Sequence, residues 1–369
     1  MSYKFVVVGA GLAGLTMAER ISTVFNEKVL LIERRGHIGG NVYDCYDHSG
    51  IQIQKYGPHT FHTSLENVYQ YLSLFTEWRE YQHRVMSYVD GMMIPMPIGI
   101  ESINKLYNFN LSADEFEAYI EEKRMNIDNI KNSEDVVLSQ AGKDIYEKFF
   151  KNFTIKQWGV SPAELDPSVI ARIPFRINRD TRYFTDKYQF QPKYGYTEMC
   201  NNMVKNKNIH ILLNVDYKEV INEFDYEYLI YTGPLDDYFD CRLGKLRYRS
   251  INMVFETYEK DSYQEVASMR FPNDYSYTRI TEFKKITGQI SKYTTVLKEY
   301  PCDGEEKYYP FPDAYNKSLA EKYRKMAEKE RNVFFLGRLA EYKYYDMDDV
   351  VNRALSIFEI LRRKNETIG

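Results

Sequence analysis

The chain has 369 residues and a mass of 43.8 kDa, which is enough for a large hydrophobic core and for more than one structural lobe. Its 49 Lys and Arg residues stand against 53 Asp and Glu residues, and the formal charge of −4 excludes a general polyanion-binding role such as nucleic-acid binding. The 4 cysteines are too far apart for a CxxC pair or a secreted disulfide framework, so we expect reduced thiols in a cytoplasmic protein. No apolar run reaches membrane-span length and no leader precedes the first strand, so we expect a soluble protein without a membrane partner.

The first forty residues predict a βαβ unit. Residues 5–8 form an apolar run typical of a buried strand, a glycine-rich turn follows, and residues 15–21 begin an amphipathic helix. Residues 28–32 then give a second buried strand. This order is typical of a doubly wound parallel sheet.

The turn carries a dinucleotide-binding fingerprint. Gly9, Gly11 and Gly14 follow a strand and open a helix, where missing side chains allow a tight turn, close approach of a pyrophosphate and close helix packing. The amides and the dipole at the helix N-terminus favour phosphate charge. Glu33 ends the next strand, where a carboxylate can accept hydrogen bonds from an adenosine ribose. We therefore expect a bound dinucleotide.

FAD is favoured over NAD for two reasons. The unit lies at the extreme N-terminus, and a second glycine turn, Gly39-Gly40-Asn41, follows the acidic residue. Backbone amides in such a turn can approach the flavin side of the cofactor. A loop glycine pair without a ligand is the alternative interpretation of this second turn taken alone.

The rest of the chain predicts two further kinds of structure. Residues 102–151 have helix-period apolar positions with little Gly or Pro, and Ser133 is the expected cap of one helix. Residues 84–96 and 248–309 alternate in the manner of half-buried strands. Near the end, residues 332–336 predict a strand, Gly337 a turn, and Asp348 the start of the last helix.

The predicted fold class is α/β, a Rossmann-type FAD-binding domain with an inserted small helical bundle and an antiparallel β-sheet domain. Since we find no repeat and no low-complexity linker, we expect interwoven lobes. We assign residues 1–76, 197–240 and 325–369 to the FAD-binding domain, 98–162 to the bundle, and 77–97, 163–196 and 241–324 to the sheet domain that binds substrate.

A set of longer motifs runs from the first strand to the last helix. They are Gly39-Gly40-Asn41, Lys55-Tyr56-Gly57-Pro58-His59-Thr60-Phe61-His62-Thr63, Lys156-Gln157-Trp158-Gly159, Arg172-Ile173-Pro174 and Gly337-Arg338-Leu339-Ala340-Glu341-Tyr342-Lys343-Tyr344-Tyr345-Asp346. With these motifs in this order, the chain closely resembles the bacterial UDP-galactopyranose mutases. Several of them are specific to that family among flavoproteins.

The resemblance implies a homodimeric FAD enzyme that interconverts UDP-galactopyranose and UDP-galactofuranose with no net redox change. In such isomerases the cofactor acts as FADH−, its N5 forms an adduct with the anomeric carbon, and the cofactor carries the covalent chemistry. A cellular reductant such as NAD(P)H keeps the flavin reduced. The furanose product is a donor for surface polysaccharide.

The resemblance also implies roles for individual residues. Arg172 and Arg279 match the arginines that bind the diphosphate bidentately, with Arg172 in a mobile lid over residues 162–176. His62, Tyr344 and Asp346 complete the expected catalytic set. Cofactor binding is expected from Gly9, Gly11, Gly14, Glu33, Arg34, Gly39, Gly40, Asn41, His59 and Arg338, and substrate binding from Phe149, Phe153, Trp158, Tyr183, Arg270, Tyr309, Gln82 and His83. No spacing of His, Cys or carboxylates demands a metal.

Three positions depart from the family pattern and leave the substrate open. Phe153 replaces a tyrosine that stacks on uracil, Arg270 stands where an asparagine near the sugar is common, and Gln82-His83 replaces a shorter amide. UDP-galactose is the first expectation, and UDP-N-acetylgalactosamine and dTDP-fucose are the alternatives.

Two functions of other classes compete with a mutase. An amine-oxidase-type flavin oxidoreductase shares the N-terminal fingerprint, but it has no diphosphate for Arg172 and Arg279 to hold. A non-catalytic flavin- or nucleotide-binding protein retains the fold without the chemistry. The joint presence of Tyr309, Tyr344 and Asp346 argues against that second alternative.

Overall fold

The computed structural model describes residues 2–171 and 175–368, with side chains up to residue 364. The strands in chain order are β1 (Ser2–Val8), β2 (Val29–Glu33), β3 (Asp44–Tyr46), β4 (Gln52–Gln54), β5 (Phe61–Thr63), β6 (Trp78–Glu80), β7 (Val85–Val89), β8 (Met92–Met96), β9 (Tyr188–Pro192), β10 (Ile209–Leu213), β11 (Asp225–Tyr231), β12 (Tyr248–Tyr258), β13 (Ser268–Arg270), β14 (Arg279–Glu282), β15 (Thr294–Cys302), β16 (Tyr309–Pro310) and β17 (Val333–Phe335).

The helices lie between these strands. In chain order they are α1 (Leu12–Arg20), α2 (Glu66–Leu72), α3 (Ile100–Tyr107), α4 (Ala113–Lys123), α5 (Ser133–Ile145), α6 (Asn152–Trp158), α7 (Ser168–Ala171), α8 (Tyr196–Met203), α9 (Tyr217–Val220), α10 (Leu235–Tyr238), α11 (Phe283–Thr287), α12 (Ala314–Ala327) and α13 (Met347–Ile368). Within the described part of the chain, none of these helices is both long and apolar enough to cross a membrane.

A five-stranded parallel sheet forms the N-terminal layer. Its order is β10-β2-β1-β11-β17, and every neighbouring pair is parallel. The central strands β1 and β2 are buried on both faces, as expected for apolar runs in a parallel sheet. Helices α1 and α13 pack together against this sheet. The predicted βαβ unit and the predicted C-terminal strand and helix are confirmed, with bounds shifted by one to three residues.

Helices α3, α4, α5 and α6 form the predicted helical segment. Their core contains Ile103, Phe116, Val137 and Phe150. The expected cap was wrong by one residue, because the Asn132 side chain accepts the hydrogen bond from the Asp135 amide and Ser133 is already helical. Asn competes well with Ser at this position, since both offer a short side-chain oxygen to the first free amides.

A seven-stranded sheet forms the third layer. Its order is β16-β12-β15-β14-β13-β7-β8, and all its pairs are antiparallel except β13 with β7. The register sets Arg270 opposite Arg279, and Arg279 opposite Glu299. Directly opposed residues project from the same face of a sheet, so these three side chains form one row.

Small sheets join the layers. Strand β9 pairs with both β5 and β6, and β3 pairs with β4. The first of these sheets takes β5 from the segment assigned to the FAD-binding domain, and β6 and β9 from segments assigned to the substrate domain. The α/β class with several sheets is confirmed, whereas the division at residues 76, 97, 162, 196, 240 and 324 stays a prediction.

Candidate functional site

A long cleft lies at the carboxyl ends of the parallel strands, where ligands bind in open α/β sheets. Strands β1, β2, β11 and β17 all end at it, through Gly9, Glu33, Thr232 and Gly337. Its empty volume, including space open to solvent, is about 1470 Å³. We call it the cofactor cleft.

Two glycine segments meet in the cofactor cleft with no side chains between them. A Cβ built on Gly40, whose φ is +55°, would lie 2.8 Å from the Gly11 Cα. A Cβ on Gly14 would lie only 1.9 Å from the Gly9 carbonyl oxygen. The first contact leaves bare backbone at the N-terminus of α1 for a pyrophosphate, and the second lets α1 pack directly on the turn.

The Glu33 carboxylate is held at the end of β2. Its Oε2 accepts the Ala10 amide at 2.7 Å, and its Oε1 accepts the Arg35 amide at 2.8 Å. Since a carboxylate has about four acceptor positions, two remain for other donors such as ribose hydroxyls. This side chain therefore suits the adenosine end of a dinucleotide.

An ionic contact crosses the edge of the cofactor cleft. Glu306 Oε2 lies 3.1 Å from Arg34 Nη2 and 2.8 Å from Arg35 Nη2. Although burial works to raise it, the pKa of Glu306 is lowered by the hydrogen bond from Arg35 and by the two positive charges. Arg35 also donates to Asn41 Oδ1 at 3.0 Å and lies over the Tyr56 ring. Arg34 thus lines the cleft and forms an ion pair with Glu306 that the sequence did not predict.

A second cleft, which we call the substrate cleft, joins the cofactor cleft. It lies between the helical segment and the seven-stranded sheet, with an empty volume of about 1990 Å³ including open solvent. His59, Arg338, Asp346 and Met347 line both clefts. A ligand in one cleft can therefore touch a ligand in the other at these four residues.

Arg338 is fixed at this junction. Its Nη2 donates to the Tyr345 carbonyl at 2.9 Å, and its guanidinium lies 5.3 Å from the Tyr309 ring and 5.4 Å from the Tyr344 ring. Burial, and then the Arg338 charge, lower the pKa of His59 to about 4. The junction thus holds a neutral imidazole, a permanent cation and the Asp346 carboxyl group, and Arg338 is the group there that suits an anion.

Arg279 lies in the substrate cleft among phenol groups. Burial opposes its charge, but Glu299 and then the nearby tyrosines Tyr309, Tyr183 and Tyr344 raise its pKa. The Tyr309 and Tyr344 rings stack with centroids 5.8 Å apart, and burial raises the pKa of Tyr309 to about 12. One fixed guanidinium surrounded by neutral hydroxyl donors can bind a diphosphate without holding it irreversibly.

Two further histidines, His62 and His83, line the substrate cleft. The His62 ring stacks on Phe184 at 3.5 Å between centroids, and its Nδ1 lies 2.9 Å from Asp186 Oδ2. His83 is buried, and burial, followed by the charges of Arg279 and His62, lowers its pKa to about 3. His83 is thus neutral, whereas Asp186 fixes the orientation of His62.

Aromatic side chains of the helical segment close the far end of the substrate cleft. Trp158 packs edge-on against Tyr309 and Phe311. The Arg270 guanidinium lies over the Phe153 ring, 3.8 Å from its centroid. Both residues of this last pair are buried and line the cleft.

The structure brings most of the predicted site together. The predicted cofactor residues line the cofactor cleft except Gly14, which packs beneath the turn. The predicted residues that line the substrate cleft are His62, His83, Phe153, Trp158, Tyr183, Arg270, Arg279, Tyr309, Tyr344 and Asp346. Arg172 and part of the predicted lid lie outside the described residues.

Two predicted substrate contacts are corrected. Gln82 is exposed and does not line the cleft, because side chains alternate along an extended segment and its neighbour His83 takes the inward position. Phe149 is buried in the core of the helical segment, and Phe150 lines the cleft instead. Phe150 and Phe153 are three residues apart, a spacing that sets both side chains on one face of a helix.

Sequence reasoning missed several lining residues. Glu299, Asp186 and Phe184 lie in the substrate cleft beside Arg279 and His62. None belongs to a motif or to a chemically suggestive spacing. Alternation along β15 could have placed Glu299 on one face, but not opposite Arg279.

The first cleft lies at the carboxyl ends of a parallel sheet and opens into a second cleft, in which an arginine and several tyrosines suit a diphosphate. This arrangement is typical of Rossmann-type nucleotide-binding enzymes. The family model for an NAD(P)-binding Rossmann-like domain matches residues 7–75. The family model for UDP-galactopyranose mutase matches residues 148–344. The chain belongs to the UDP-galactopyranose mutase family.

Relatives cover nearly the whole chain. It is 39% identical over 359 residues to the probable UDP-galactopyranose mutase of Klebsiella pneumoniae, covering 95% of this chain and 93% of that one. It is 34% identical to the dTDP-fucopyranose mutase of Escherichia coli, covering 98% and 99%. A crystal structure of reduced UDP-galactopyranose mutase superposes with a TM-score of 0.79 at 17% identity, covering 98% of this chain and 94% of that one. At this level of identity, the last comparison shows that the fold is shared and nothing more.

Proposed function

We propose that this protein is a FAD-dependent isomerase that interconverts UDP-galactopyranose and UDP-galactofuranose. The observation that carries the proposal is the junction of the two clefts at Arg338 and Asp346, with Arg279 and its tyrosines immediately beyond. A dinucleotide in the cofactor cleft and a nucleotide sugar in the substrate cleft would meet there.

The residues of the cofactor cleft fit FAD. The bare backbone between Gly11 and Gly40 suits the pyrophosphate, and Glu33 has acceptor capacity left for ribose hydroxyls. Arg338 would stabilise negative charge on the reduced ring, because its guanidinium is fixed and partly desolvated at the junction. When bound and reduced, FAD supplies the nucleophilic N5 that attacks the anomeric carbon of the sugar.

The chain's own residues then hold the diphosphate that leaves the sugar. Arg279 offers bidentate donors, while Tyr183, Tyr309 and Tyr344 offer hydroxyl donors in the same part of the cleft. Retaining the diphosphate allows it to be returned to the anomeric carbon after the ring has reclosed. We assign Arg172 to the same task from the family motif, with residues 162–176 as a lid.

Proton transfer to the sugar is assigned to the junction of the clefts. We assign it to Asp346, which lines both clefts, since the lowered pKa of His59 makes that imidazole a weak base. His62 is oriented by Asp186, and from the family motif we assign it a place beside the flavin that would bind there. The buried Trp158 ring packs against Tyr309 and Phe311 and forms part of the wall of the cleft that the sugar would enter.

The biological setting is proposed from the family. UDP-galactose is the first substrate, and dTDP-fucopyranose and UDP-N-acetylgalactopyranose are the alternatives, the first of them supported by the Escherichia coli relative. We further propose a cytoplasmic homodimer, a reductant such as NAD(P)H, and a furanose product used for surface polysaccharide. The three-domain division belongs to the same proposal.

The deciding experiment incubates dithionite-reduced enzyme separately with UDP-galactofuranose, UDP-N-acetylgalactofuranose and dTDP-fucofuranose, and follows pyranose formation by chromatography. Fast conversion of UDP-galactofuranose alone is the expected result. Preference for another donor would move the substrate and keep the reaction type. Equal rates with oxidised enzyme would reject the nucleophilic role of the flavin, and stoichiometric peroxide would favour an oxidoreductase.

A further inference from the structure

Contacts order the residues along the substrate cleft. Starting at the cofactor cleft, Arg338 lies over Tyr309 and Tyr344, and these tyrosines surround Arg279. Arg270 stands directly opposite Arg279 on the neighbouring strand. The Phe153 ring then lies against Arg270 on its other side.

This order bears on the position of Arg270 relative to a nucleotide sugar. The sugar has to reach the junction at Arg338, and the diphosphate lies at Arg279 under the proposed function. In this series of contacts Arg270 follows Arg279 and touches Phe153, the residue expected at the base. It therefore faces the nucleotide half of the ligand, although the sequence alone suggested a position near the sugar.

The two arginines are unusual neighbours. Like charges directly opposite each other on adjacent strands destabilise a sheet, and their Cβ atoms are expected to be about 5 Å apart. Glu299 stands opposite Arg279 on its far side and forms an ion pair with it. An anion lying between the two guanidinium groups would relieve the repulsion.

The Phe153 ring determines how Arg270 is presented. A guanidinium at 3.8 Å from a ring centroid is in contact with the ring face, and the N–H groups radiate in the plane of the guanidinium. The ring therefore restrains the side chain without using its N–H donors, of which a guanidinium has five. Arg270 has only 5% of its surface exposed, so an anion bound there gains from weak solvent screening.

We propose that Arg270 is a second diphosphate-binding arginine of the described cleft, acting on the phosphate nearer the nucleoside, with Phe153 as its positioning residue. The inference rests on the proposed function only in taking a nucleoside diphosphate as the ligand. It assigns Arg270 to a part of the substrate that every candidate sugar donor shares. An extra cation there strengthens binding of the leaving diphosphate irrespective of the sugar.

The test measures binding of UDP itself to the oxidised holoenzyme by isothermal titration calorimetry, over a series of salt concentrations. Arg270→Asn should weaken UDP binding by about 10- to 100-fold at low salt, and it should make the remaining affinity less dependent on salt. Arg270→Lys should keep most of the salt dependence and lose part of the affinity, because it keeps the charge without the fork. Lys260→Asn removes one exposed charge just beyond the end of β12, outside the cleft, and should leave UDP binding unchanged.

Three results would overturn the assignment. In Arg270→Asn, unchanged UDP affinity with impaired binding only of a sugar nucleotide would place Arg270 at the sugar. Weaker binding with an unaltered salt dependence would place it at the base, whose carbonyl acceptors are neutral. Failure of the wild-type holoenzyme to bind UDP would remove the diphosphate altogether. Flavin content and thermal unfolding of each variant show whether it is folded.

The outcome is separable from that of the proposed function. An enzyme that binds UDP through Arg270 but turns over none of the furanose donors would support this inference and contradict the mutase reaction. Turnover of a furanose donor, together with a UDP affinity that does not change in Arg270→Asn, would support the mutase reaction and contradict this inference.

Discussion

Arg279 Nη1 lies 3.6 Å from Glu299 Oε1, across the neighbouring strands β14 and β15. Glu299 is buried, and burial raises its pKa although the Arg279 charge opposes the rise. The pair holds a guanidinium at the sheet surface with donors left for the cleft. Because Arg279 has five N–H donors, one carboxylate does not saturate it.

Arg279→Ala should abolish turnover while the flavin stays bound. The substitution removes a bidentate donor from the substrate cleft. Arg279 is not among the residues that line the cofactor cleft, so flavin binding should persist. We expect kcat/KM to fall by about 100-fold or more, as for loss of a charged transition-state contact. Chromatographic turnover assays and the flavin absorbance spectrum measure the two effects. Unimpaired turnover in this variant would reject the role of Arg279.

Acid should destabilise the protein partly through His83. Its pKa is lowered to about 3, from 6.5, by burial and then by Arg279 and His62. Below pH 6.5 the unfolded chain therefore takes up a proton that the folded protein refuses, and stability falls as the pH drops towards the folded pKa. His83→Gln removes this pH-dependent loss of stability, because glutamine does not titrate.

The wild type should lose on the order of 2 kcal/mol relative to His83→Gln between about pH 6.5 and 4.5. Denaturant unfolding at several pH values measures the difference. His48→Gln is the matched control, because His48 is exposed, and it should follow the wild type. A difference between wild type and His83→Gln that does not vary with pH would contradict the burial of a neutral imidazole.

Two glycine substitutions should separate folding from cofactor binding. In Gly14→Ala the new Cβ meets the Gly9 carbonyl at 1.9 Å, so we expect a loss of about 1–3 kcal/mol or more from overpacking against backbone. In Gly11→Ala the Cβ is 3.9 Å from the Gly40 Cα and projects into an open cleft lined by Gly11. That variant should fold normally and retain less FAD. Thermal unfolding and flavin content of both apo and holo samples provide the measurements.

Glu306→Gln should accelerate release of FAD. The substitution removes the carboxylate that bridges Arg34 and Arg35 at the edge of the cofactor cleft. Because these charges are partly exposed, we expect an effect of only about 2- to 5-fold, and it should shrink at high salt. Recovery of flavin fluorescence on dilution follows the release. Glu265→Gln, which changes an exposed carboxylate away from the cofactor cleft, should behave as the wild type. Equal release from all three proteins would show that the bridge is not part of cofactor retention.

Local signals determined much of the fold before any tertiary contact was considered. The dinucleotide turn depends on residues that are close in sequence, since Gly9, Gly14 and Glu33 belong to one strand–helix–strand unit. Periodicity identified the helical segment and the alternating strands, because burial of one face is imposed on each element separately. Family motifs then supplied many of the residues that line the two clefts, whereas Glu299, Asp186 and Phe184 belong to no motif.

The tertiary structure decided what depends on register and on helix geometry. Arg270, Arg279 and Glu299 form a row only because three strands pair with a particular offset, and a shift of one residue would turn a side chain to the other face. Phe150, in place of Phe149, lines the cleft, because the rotation of this helix about its axis is set by how it packs on its neighbours. Motifs of residues that are close in sequence can be recognised from the sequence alone. The distances between charges that are remote in sequence follow from strand pairing, and the energy of that pairing is shared over many residues, so no single motif predicts it.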